Sequence, residues 1–311
     1  MRKTDIHLKL DRRLIAEVGG WLVYLVILAA ASLRTRFAGR RKATLWFTPD
    51  TPRPWYLIRG AALWAGISTS KTEASADAAF YFDDVTVGEP TATRHAAHFN
   101  FGCRDISKSH VAEVFEAVFG YCLAVDPSVF DGPMVEKSEK NGVHDGRVVT
   151  RPTNPVAGRV YQRLVETRDD LGQAHDLRTL CAGGSPVLVW VKTKPAGRCF
   201  AIHNRAARLK TPDEVFTHAE LALIGVFTAR IGLDWGGLDI LRDRIDGRIY
   251  IVDVNKTDVG PVIALSWSDK IRSMQRLAVA LERLLASAGV RKTDVATQQP
   301  GPPNTEVLSV L

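Results

Sequence analysis

The segment from residue 236 to residue 255, GGLDILRDRIDGRIYIVDVN, constrains the fold of this chain more than any other stretch. Apolar and polar residues alternate on both sides of the Asp246-Gly247 pair, which predicts two antiparallel strands joined by a turn. The apolar face of the second strand consists of Tyr250, Val252 and Val254. The opposite face carries Asp253 and Asn255, shortly before a Gly-Pro pair stops the strand.

The polar residues of this hairpin indicate a site for a hard metal ion. Residues two apart in a strand share a face, so Asp253 and Asn255 point the same way. A turn centred near residues 244 and 245 would place Asp239 opposite Ile251 and diagonal to Asp253. Two carboxylates and a carboxamide oxygen suit Mg²⁺ or Mn²⁺, which commonly take one or two carboxylates together with substrate phosphate oxygens. The alternative is a polar sheet face that is exposed to water.

Composition limits the class of protein and of partner. A length of 311 residues and a hydrophobic content of 46% suit one large domain or a few smaller ones. The net charge of +7 fits an anionic ligand such as a nucleotide or an anionic membrane surface and selects neither. We expect no nucleic-acid partner. The four cysteines form no CxxC pair, which favours free thiols and a reducing, cytoplasmic location.

Residues 18 to 33, VGGWLVYLVILAAASL, contain no charged residue and lie between pairs of arginines. The interpretation that we favour is a buried helix, or a strand and a helix, of the N-terminal domain. The second is a membrane-associated or short spanning segment, although a span needs roughly 20 residues. The basic sequence RTRFAGRRK suits anionic lipid headgroups, so residues 18–42 would make peripheral membrane contact. The third is a secretory signal, in which LAAAS resembles a cleavage site and acidic residues interrupt the leader.

The chain divides into three regions. Residues 1–104 are predicted to form a small α/β N-terminal domain, with AAFYFDDVT as a buried strand. Residues 105–289 show regular helix and strand signals and are predicted to form a second domain. Residues 290–311 are aperiodic and contain Pro and Gln, so we expect a flexible tail.

Periodicity and capping residues predict three helices in the second domain. Ser107 or Ser109 caps the first, and Thr211 or Thr217, each with a Glu three residues later, begins the second. The third runs from Ser266 to Ala288 with one apolar face. The strand candidates are GPMVEK, RVVT, RVYQRLVE and SPVLVWVKTK. The chain contains no GxGxxG and no GxxxxGK[ST] motif, so a Rossmann or P-loop nucleotide site is not supported.

The segment GLDIL followed by YIVDVNKTDVGP resembles the C-terminal metal-binding hairpin of the ATP-grasp superfamily, where a D-x-L element precedes a strand ending in E-V-N. Other elements follow in the order of that family. MVEK resembles its V-V-K strand, SEKNGVHDG stands at its glycine-rich loop, VYQRLVE resembles its hinge strand, and HDLRTL resembles its D-I-R element. The match covers residues 105 to 288. It implies an α/β (α+β) fold in which two α+β subdomains clasp the nucleotide, preceded by a small α/β domain.

The resemblance implies a nucleotide site for ATP. Lys137 is expected on the nucleotide phosphates. The loop residues expected near the phosphates are Ser138, Lys140, Asn141 and Gly142. The hinge residues expected at the adenine are Gln162, Arg163, Leu164 and Val165, with Glu166 at the ribose. The hinge differs from the usual Q-E-Y-I, because Arg163 and Leu164 replace its glutamate and aromatic residue.

The resemblance also implies the groups that act on the substrate. Arg178 is a candidate for binding the acyl phosphate or the substrate carboxylate, and Asn204 or Arg205 for contacting phosphate. Lys137 and Arg178 are the catalytic residues implied, because both would stabilise the charge that develops during phosphoryl transfer. The metal ligands implied are Asp239, Asp253 and Asn255. Asp253 stands where the family has a glutamate, so its carboxylate is one methylene shorter.

The function implied is an ATP- and Mg²⁺-dependent ligase that joins a carboxylate to an amine through an acyl phosphate, with an acid and an amine that the sequence does not identify. The pattern resembles ligases that add glutamate to peptide C-termini and, more remotely, glutathione synthetases and D-alanine:D-alanine ligases. Two alternatives stay open at this point. One is a nucleotide-binding module without ligation that acts as a membrane-associated scaffold or sensor. The other is a phosphotransferase acting on a small molecule.

Overall fold

The computed structural model describes residues 12–37, 43–143, 145–150, 152–194 and 204–290. The predicted tail therefore lies outside the described residues, except for Val290. The fold contains both helices and sheets, as the α/β (α+β) prediction requires. The boundary predicted between residues 104 and 105 stays a prediction.

The N-terminal region of the chain forms a parallel sheet with two helices. Its strands are β1 (Thr44–Pro49), β2 (Ser68–Ser70), β3 (Ala78–Phe82) and β4 (His98–Phe99), in the order β2-β1-β3-β4. All residues of β3 are buried, which explains why its sequence AAFYF shows no alternation. The helices are α1 (Arg12–Phe37) and α2 (Leu57–Ala65).

The apolar segment 18–33 belongs to the single helix α1. Tyr24 and Leu28 are buried in the core that α1 shares with α2, as the interpretation of a buried helix requires. Among the described residues, none of the helices combines the length and the apolar character that crossing a membrane needs. Leu22 and Val26 on the same helix nevertheless stay exposed.

A second, antiparallel sheet carries the loop SEKNGVHDG. Its strands are β5 (Met134–Ser138), β6 (Arg147–Val149) and β7 (Arg159–Arg163), in the order β6-β5-β7. The helix α3 (Lys108–Phe119) precedes this sheet in the chain, and Ser107 caps its first turn by accepting a hydrogen bond from the amide of His110 at 3.4 Å. Of the two predicted caps, the structure selects Ser107.

The largest sheet is antiparallel and has five strands in the order β10-β9-β8-β11-β12. The strands are β8 (His175–Ala182), β9 (Ser185–Thr193), β10 (Ala206–Lys210), β11 (Trp235–Arg242) and β12 (Ile249–Asn255). The helix α4 (His218–Arg230) begins after its capping residue Thr217, while the box at Thr211 caps a 3₁₀ turn. The last helix is α5 (Trp267–Ser287), with Ser266 as its cap.

The two faces of the five-stranded sheet have different neighbours. Leu177, Leu238 and Val254 face a core that includes residues of α3 and α4. Leu180 and Trp190 on the other face join a core with α5, and the indole Nε1 of Trp190 donates to Ser273 of that helix at 2.9 Å. Because α5 covers only a portion of this second face, the remainder can carry polar side chains.

The hairpin β11–β12 forms as predicted, but its register differs. Asp239 pairs directly with Asp253, and a β-bulge follows because Ile240 pairs with Ile251. The prediction that Asp239 lies opposite Ile251 is therefore wrong. Val252 is the extra residue of the bulge, and a single-residue insertion of this kind leaves little trace in an alternating sequence.

Candidate functional site

The uncovered portion of the large sheet presents a row of charges across three strands. Arg178 on β8 pairs with Asp239 on β11, and Asp239 pairs with Asp253 on β12. Residues of neighbouring strands in register lie on the same face of a sheet, so the three side chains are adjacent. Lys192 on β9 lies beside them and donates to Asp239 at 3.1 Å. The sheet thus places an arginine and two carboxylates side by side, with a lysine next to them.

A cleft of about 330 Å³ lies between this row and the three-stranded sheet. The sequence-predicted residues that line it are Lys137, Ser138, Lys140, Gly142, Gln162, Arg163, Leu164, Val165, Asn204, Asp239 and Asp253. Five predicted residues do not occur among the described residues that line it, namely Asn141, Glu166, Arg178, Arg205 and Asn255. The hairpin, the glycine-containing loop and the hinge therefore converge on one cavity although they are distant in sequence.

Arg178 lies between two carboxylates. Its Nη1 donates to Asp239 at 2.7 Å, and its Nη2 forms a short ion pair with Asp258. Burial alone would raise the pKa of Asp239, but Arg178 and Lys192 outweigh it and hold that pKa well below its usual range. Burial dominates at Asp258 and raises its pKa to about 6. Arg178 is consequently a fixed cation whose own pKa is raised.

Gly237 makes room for this arrangement. A Cβ atom at Gly237 would collide with the carboxylate of Asp258 and would lie 2.9 Å from Nε of Arg178. The glycine lies two residues before Asp239, on the same face of β11. A side chain at that position would displace the ion pair, which explains why the segment WGGLDIL has no bulky residue there.

Asp253 lies near two lysines. The Nζ of Lys137 donates to the carbonyl of Val252 at 3.0 Å, and the Nζ of Lys108 lies 3.9 Å from a carboxylate oxygen of Asp253. Burial lowers the pKa of Lys137 to about 8, an effect that Asp253 partly opposes. Burial also raises the pKa of Asp253, and the two lysines reduce that shift. Burial therefore disfavours the charged forms of both Lys137 and Asp253.

The loop after β5 is attached to the site through its backbone. Lys108 donates to the carbonyl of Lys140 at 3.1 Å. The Nδ2 of Asn141 donates to the carbonyl of Val254 at 3.2 Å, so this side chain holds the loop on β12 and does not line the cleft. Gly142 has a φ of 77°, which a glycine adopts without strain. The amide of Ser138 donates to Asp145 at 2.9 Å.

The hinge, residues 162–166 at the end of β7, contains one buried carboxamide and two charged side chains that have hydrogen-bond partners. Gln162 is 3% exposed, and its Nε2 has no hydrogen-bond partner among the described residues. Arg163 donates to the hydroxyl of Tyr250 at 2.8 Å and lies over its ring. Glu166 accepts hydrogen bonds from Arg168, so it is not placed at the cleft. An unpartnered donor beside the cleft is a group that a heterocyclic ring could satisfy.

The remaining predicted residues, Asn204, Arg205 and Asn255, lie in different places relative to the cleft. Asn204 lines the cleft, and its Oδ1 is buried without a partner among the described residues. Arg205 is exposed. Asn255 ends β12, opposite Gly237 and two residues beyond Asp253. The roles predicted for these side chains stay predictions.

Sequence reasoning missed several charged residues of the site. These are Lys108, Asp176, Lys192, Lys194 and Asp258. Lys194 pairs with Asp176 at 3.4 Å, and both line the cleft with Lys192. Lys192 and Lys194 stand two residues apart at the end of the apolar strand SPVLVWVKTK, and this spacing is a usable signal. Nothing in the sequence distinguishes Asp258 from other loop aspartates.

The donor set is suited to a hard cation such as Mg²⁺. Asp239 and Asp253 provide carboxylate oxygens in direct register, and Asn255 follows on the same strand. The described residues contain no group of three or more His, Cys, Asp or Glu that could hold a metal alone. Magnesium commonly takes one or two protein carboxylates and completes its shell with phosphate oxygens and water, and this pair fits that pattern.

No protein-family model matches the sequence, and no curated protein matches it. Solved structures do match the fold. The ATP-grasp ligase PsnB, in a complex with a phosphomimetic precursor variant, Mg and ADP, is 11% identical, with a TM-score of 0.50 over 81% of this chain and 100% of that chain. D-cycloserine synthetase DcsG is 15% identical, with a TM-score of 0.47 over 78% of this chain and 99% of that chain.

A RimK domain protein from Sphaerobacter thermophilus is 13% identical, with a TM-score of 0.45 over 78% of this chain and 100% of that chain. The fold assignment rests on the ligase PsnB, whose TM-score is 0.50. The chain therefore has the fold of the ATP-grasp superfamily.

Proposed function

We propose that the protein is an ATP-dependent ligase that joins a carboxylate to an amine through an acyl phosphate. The observation that carries this proposal is the row of Arg178, Asp239 and Asp253, whose two aspartates line a cleft together with several lysines. Such a site holds charge in fixed positions. That character suits phosphoryl transfer, where catalysis is mostly positioning and electrostatic stabilisation.

The lysines are the groups that would bind the triphosphate. Lys137 and Lys192 approach the cleft from opposite sheets, and Lys194 follows on the same face as Lys192. Lys137 is already desolvated, so an anion beside it would be attracted more strongly than in water. The adenine would lie along the hinge, residues 162–165, next to the unpartnered Nε2 of Gln162.

Asp239, Asp253 and Asn255 are the residues that would hold magnesium. Magnesium bound to ATP neutralises the charge of the β- and γ-phosphates. In this chain the two aspartates are ion-paired with or close to Arg178, Lys192 and Lys108, so protein cations balance them before any ligand arrives. These cations would have to share the carboxylates, or move, when the ion binds.

Arg178, beside the cleft-lining Asp239, is the residue that would stabilise negative charge on the acid substrate. Two carboxylates fix its guanidinium, so it would lose little entropy in holding one orientation. The solved ligase PsnB binds Mg, ADP and a precursor peptide variant, and a peptide is accordingly one class of acid or amine to test here. The proposal does not depend on that choice.

The experiment is a measurement of ADP and phosphate release with Mg²⁺ and a panel of amino acids and peptides. Release is expected only when a suitable acid and amine are both present. Asp253→Asn is expected to lower turnover by at least about 100-fold, the usual loss when one charge-positioning group is removed. Asp131→Asn, at an exposed loop aspartate, is the matched control and should leave turnover unchanged. Full turnover in Asp253→Asn would contradict the proposed role of this carboxylate.

Product analysis separates the ligase from its rivals. A ligase yields ADP, free phosphate and an amide, all in equal amounts. A phosphotransferase yields ADP and a stable phosphorylated product, which phosphorus NMR would detect directly. A nucleotide-binding module would bind ADP without consuming ATP under any substrate combination. The last outcome across the whole panel would overturn the proposed ligation.

A further inference from the structure

Helix α1 has two apolar faces, and within the part of the chain that the structure describes only one of them is covered. Tyr24 and Leu28 are 4% and 1% exposed, because they pack on α2 beside Gly60. The other face carries Leu22 and Val26, which are 60% and 68% exposed. A surface helix ordinarily has polar residues on the side that faces water.

The exposed residues form one continuous stripe. At about 100° per residue, Leu22, Val23, Val26, Ala29, Ala30 and Leu33 fall within about a third of the helix circumference. We call these six residues the outer face of α1, and all of them are exposed. The stripe extends about 16 Å along the helix axis, at about 1.5 Å per residue. Continuous exposed apolar surface of this kind marks interaction sites.

Positively charged residues stand at both ends of helix α1. Arg12 and Arg13 occupy the first turn of α1, and Arg34 and Arg36 lie in its last turn. The sequence continues with Arg40, Arg41 and Lys42. The outer face itself contains no charged residue. Apolar residues flanked by basic residues are the composition of helices that lie on anionic membranes.

A tryptophan borders the helix on the neighbouring element. Trp267 begins α5 and is 42% exposed, and its Cζ2 would lie 3.8 Å from a Cβ at Gly20. The Nζ of Lys270 lies 4.8 Å from the centroid of the Trp267 ring. Tryptophan and lysine together favour the level of lipid headgroups, where a ring can be half buried while the charge stays in water.

We infer that the outer face of α1 docks on a membrane surface that contains anionic lipids. The helix would lie in the plane of the interface, because Tyr24 and Leu28 keep its inner face on the folded domain. The apolar stripe would enter the boundary between headgroups and acyl chains, and the basic ends would attract the lipid phosphates. This inference is independent of the proposed ligation.

A second copy of the chain fits this face less well. A parallel pair of α1 helices would align identical arginines, which brings like charges together and is unfavourable. An antiparallel pair centred on the stripe would place Arg34 and Arg36 beside residues 19–21 of the other copy, which carry no opposite charge. An anionic lipid surface complements the same charges.

The test is flotation of the full-length protein with two kinds of vesicle, one of phosphatidylcholine alone and one with about 30% phosphatidylserine as the anionic lipid. We expect binding to the anionic vesicles that is at least about tenfold stronger than to the neutral ones and that weakens at high salt. The variant Leu22→Gln/Val26→Gln is expected to reduce anionic binding at least about tenfold, because it removes apolar area from the stripe. Val279→Gln, which changes a 45% exposed valine on α5, is the matched control and should bind like the wild type.

Two further measurements make each outcome decisive. Thermal melting and ADP binding establish that each variant is folded. The variant Arg34→Gln/Arg36→Gln removes charge only and leaves the apolar stripe intact. It should also weaken binding of the protein to anionic vesicles. Wild-type protein that stays unbound with anionic vesicles overturns the inference. Unchanged binding by the Leu22→Gln/Val26→Gln variant also overturns it. A dimer that this variant abolishes, in a protein that ignores vesicles, would assign the face to a second copy.

Discussion

The contact between Gly102 and Gly232 joins the N-terminal region of the chain to the large sheet, and its disruption can be predicted quantitatively. A Cβ at Gly232 would lie 2.6 Å from the carbonyl oxygen and 2.7 Å from the Cα of Gly102. Asn100, two residues before Gly102, accepts hydrogen bonds from the amides of Asp234 and Trp235 at 2.8 and 2.9 Å. Its Nδ2 donates to the carbonyl of Trp235 at 2.8 Å. The contact is between backbone atoms, so no flexible side chain can move aside for an added methyl group.

The magnitude follows from three contributions. Gly232 has a φ of 72°, and an alanine in that conformation costs about 1 kcal/mol. The added methyl must also push the two backbones about 1 Å further from each other to reach an ordinary carbon contact, and overpacking of a rigid site costs about 1–3 kcal/mol. Loosening the hydrogen bonds of Asn100 adds about 1 kcal/mol. We therefore expect Gly232→Ala to lower the free energy of unfolding by about 3–5 kcal/mol.

Gly247→Ala is the matched control. Gly247 has a φ of 73°, and no atom lies within 4 Å of the position where its Cβ would be. The control therefore shares the conformational cost of about 1 kcal/mol and lacks the collision. In thermal melts, at about 2 °C per kcal/mol for a chain of this size, we expect Tm to fall by about 6–10 °C for Gly232→Ala and about 2 °C for the control. Equal shifts in the two variants would refute the reasoning.

Three further predictions concern the cleft. Glu136→Gln should destabilise the fold by about 2 kcal/mol at neutral pH, because its buried carboxylate loses charge-assisted bonds to two arginines. Those arginines outweigh burial and lower the pKa of Glu136. The stability difference between the wild type and Glu136→Gln should therefore be complete above about pH 4.3 and shrink as the pH falls below that value. Denaturation at several pH values would measure this difference. Lys137→Met should weaken ADP binding about 10–100-fold by calorimetry, and the wild-type affinity should fall as the pH rises through about 8, where the free lysine loses its charge. Gly237→Ala should displace Asp258 from Arg178 and lower ATP turnover at least about tenfold while ADP affinity changes little.

The elements of the fold that the sequence predicts are those with strong local periodicity. Strands β5, β6 and β9 and helix α5 form within a residue or two of their predicted bounds. The strand β8 is recognisable in the sequence only as a motif, because one face of HDLRTLCA carries the charged Asp176 and Arg178 next to the buried Leu180. That mixture has a physical origin: Arg178 lies at the uncovered end of the sheet face, while Leu180 lies under α5. Local alternation cannot reveal where a distant helix stops covering a sheet.

The site residues that the sequence predicts are those that stand in motifs of the resembled family. Residues that reach the site only through contacts between distant segments of the chain cannot be predicted in this way. Lys108 enters the site because α3 points its first turn at the loop after β5, a relation between segments 32 residues apart. Asp258 enters because the chain turns back over Gly237 after β12. Neither residue stands in a pattern that a single sequence exposes. Both are recognisable only once the sheets are paired.

The short carboxylate at position 253 and the bulge in β12 form one feature. The bulge brings Asp253 into direct register with Asp239, at the spacing of about 4.5–5.5 Å that cross-strand neighbours share. Two carboxylates so close repel each other unless cations or a metal balance them, and Lys108 lies 3.9 Å from Asp253 while Arg178 pairs with Asp239. A glutamate in this register would carry its carboxylate one methylene further from the strand, whereas the aspartate already lies 3.9 Å from Lys108. The shorter side chain therefore suits the bulged strand, and the two oxygen donors converge because the backbone, and not side-chain length, brings them together.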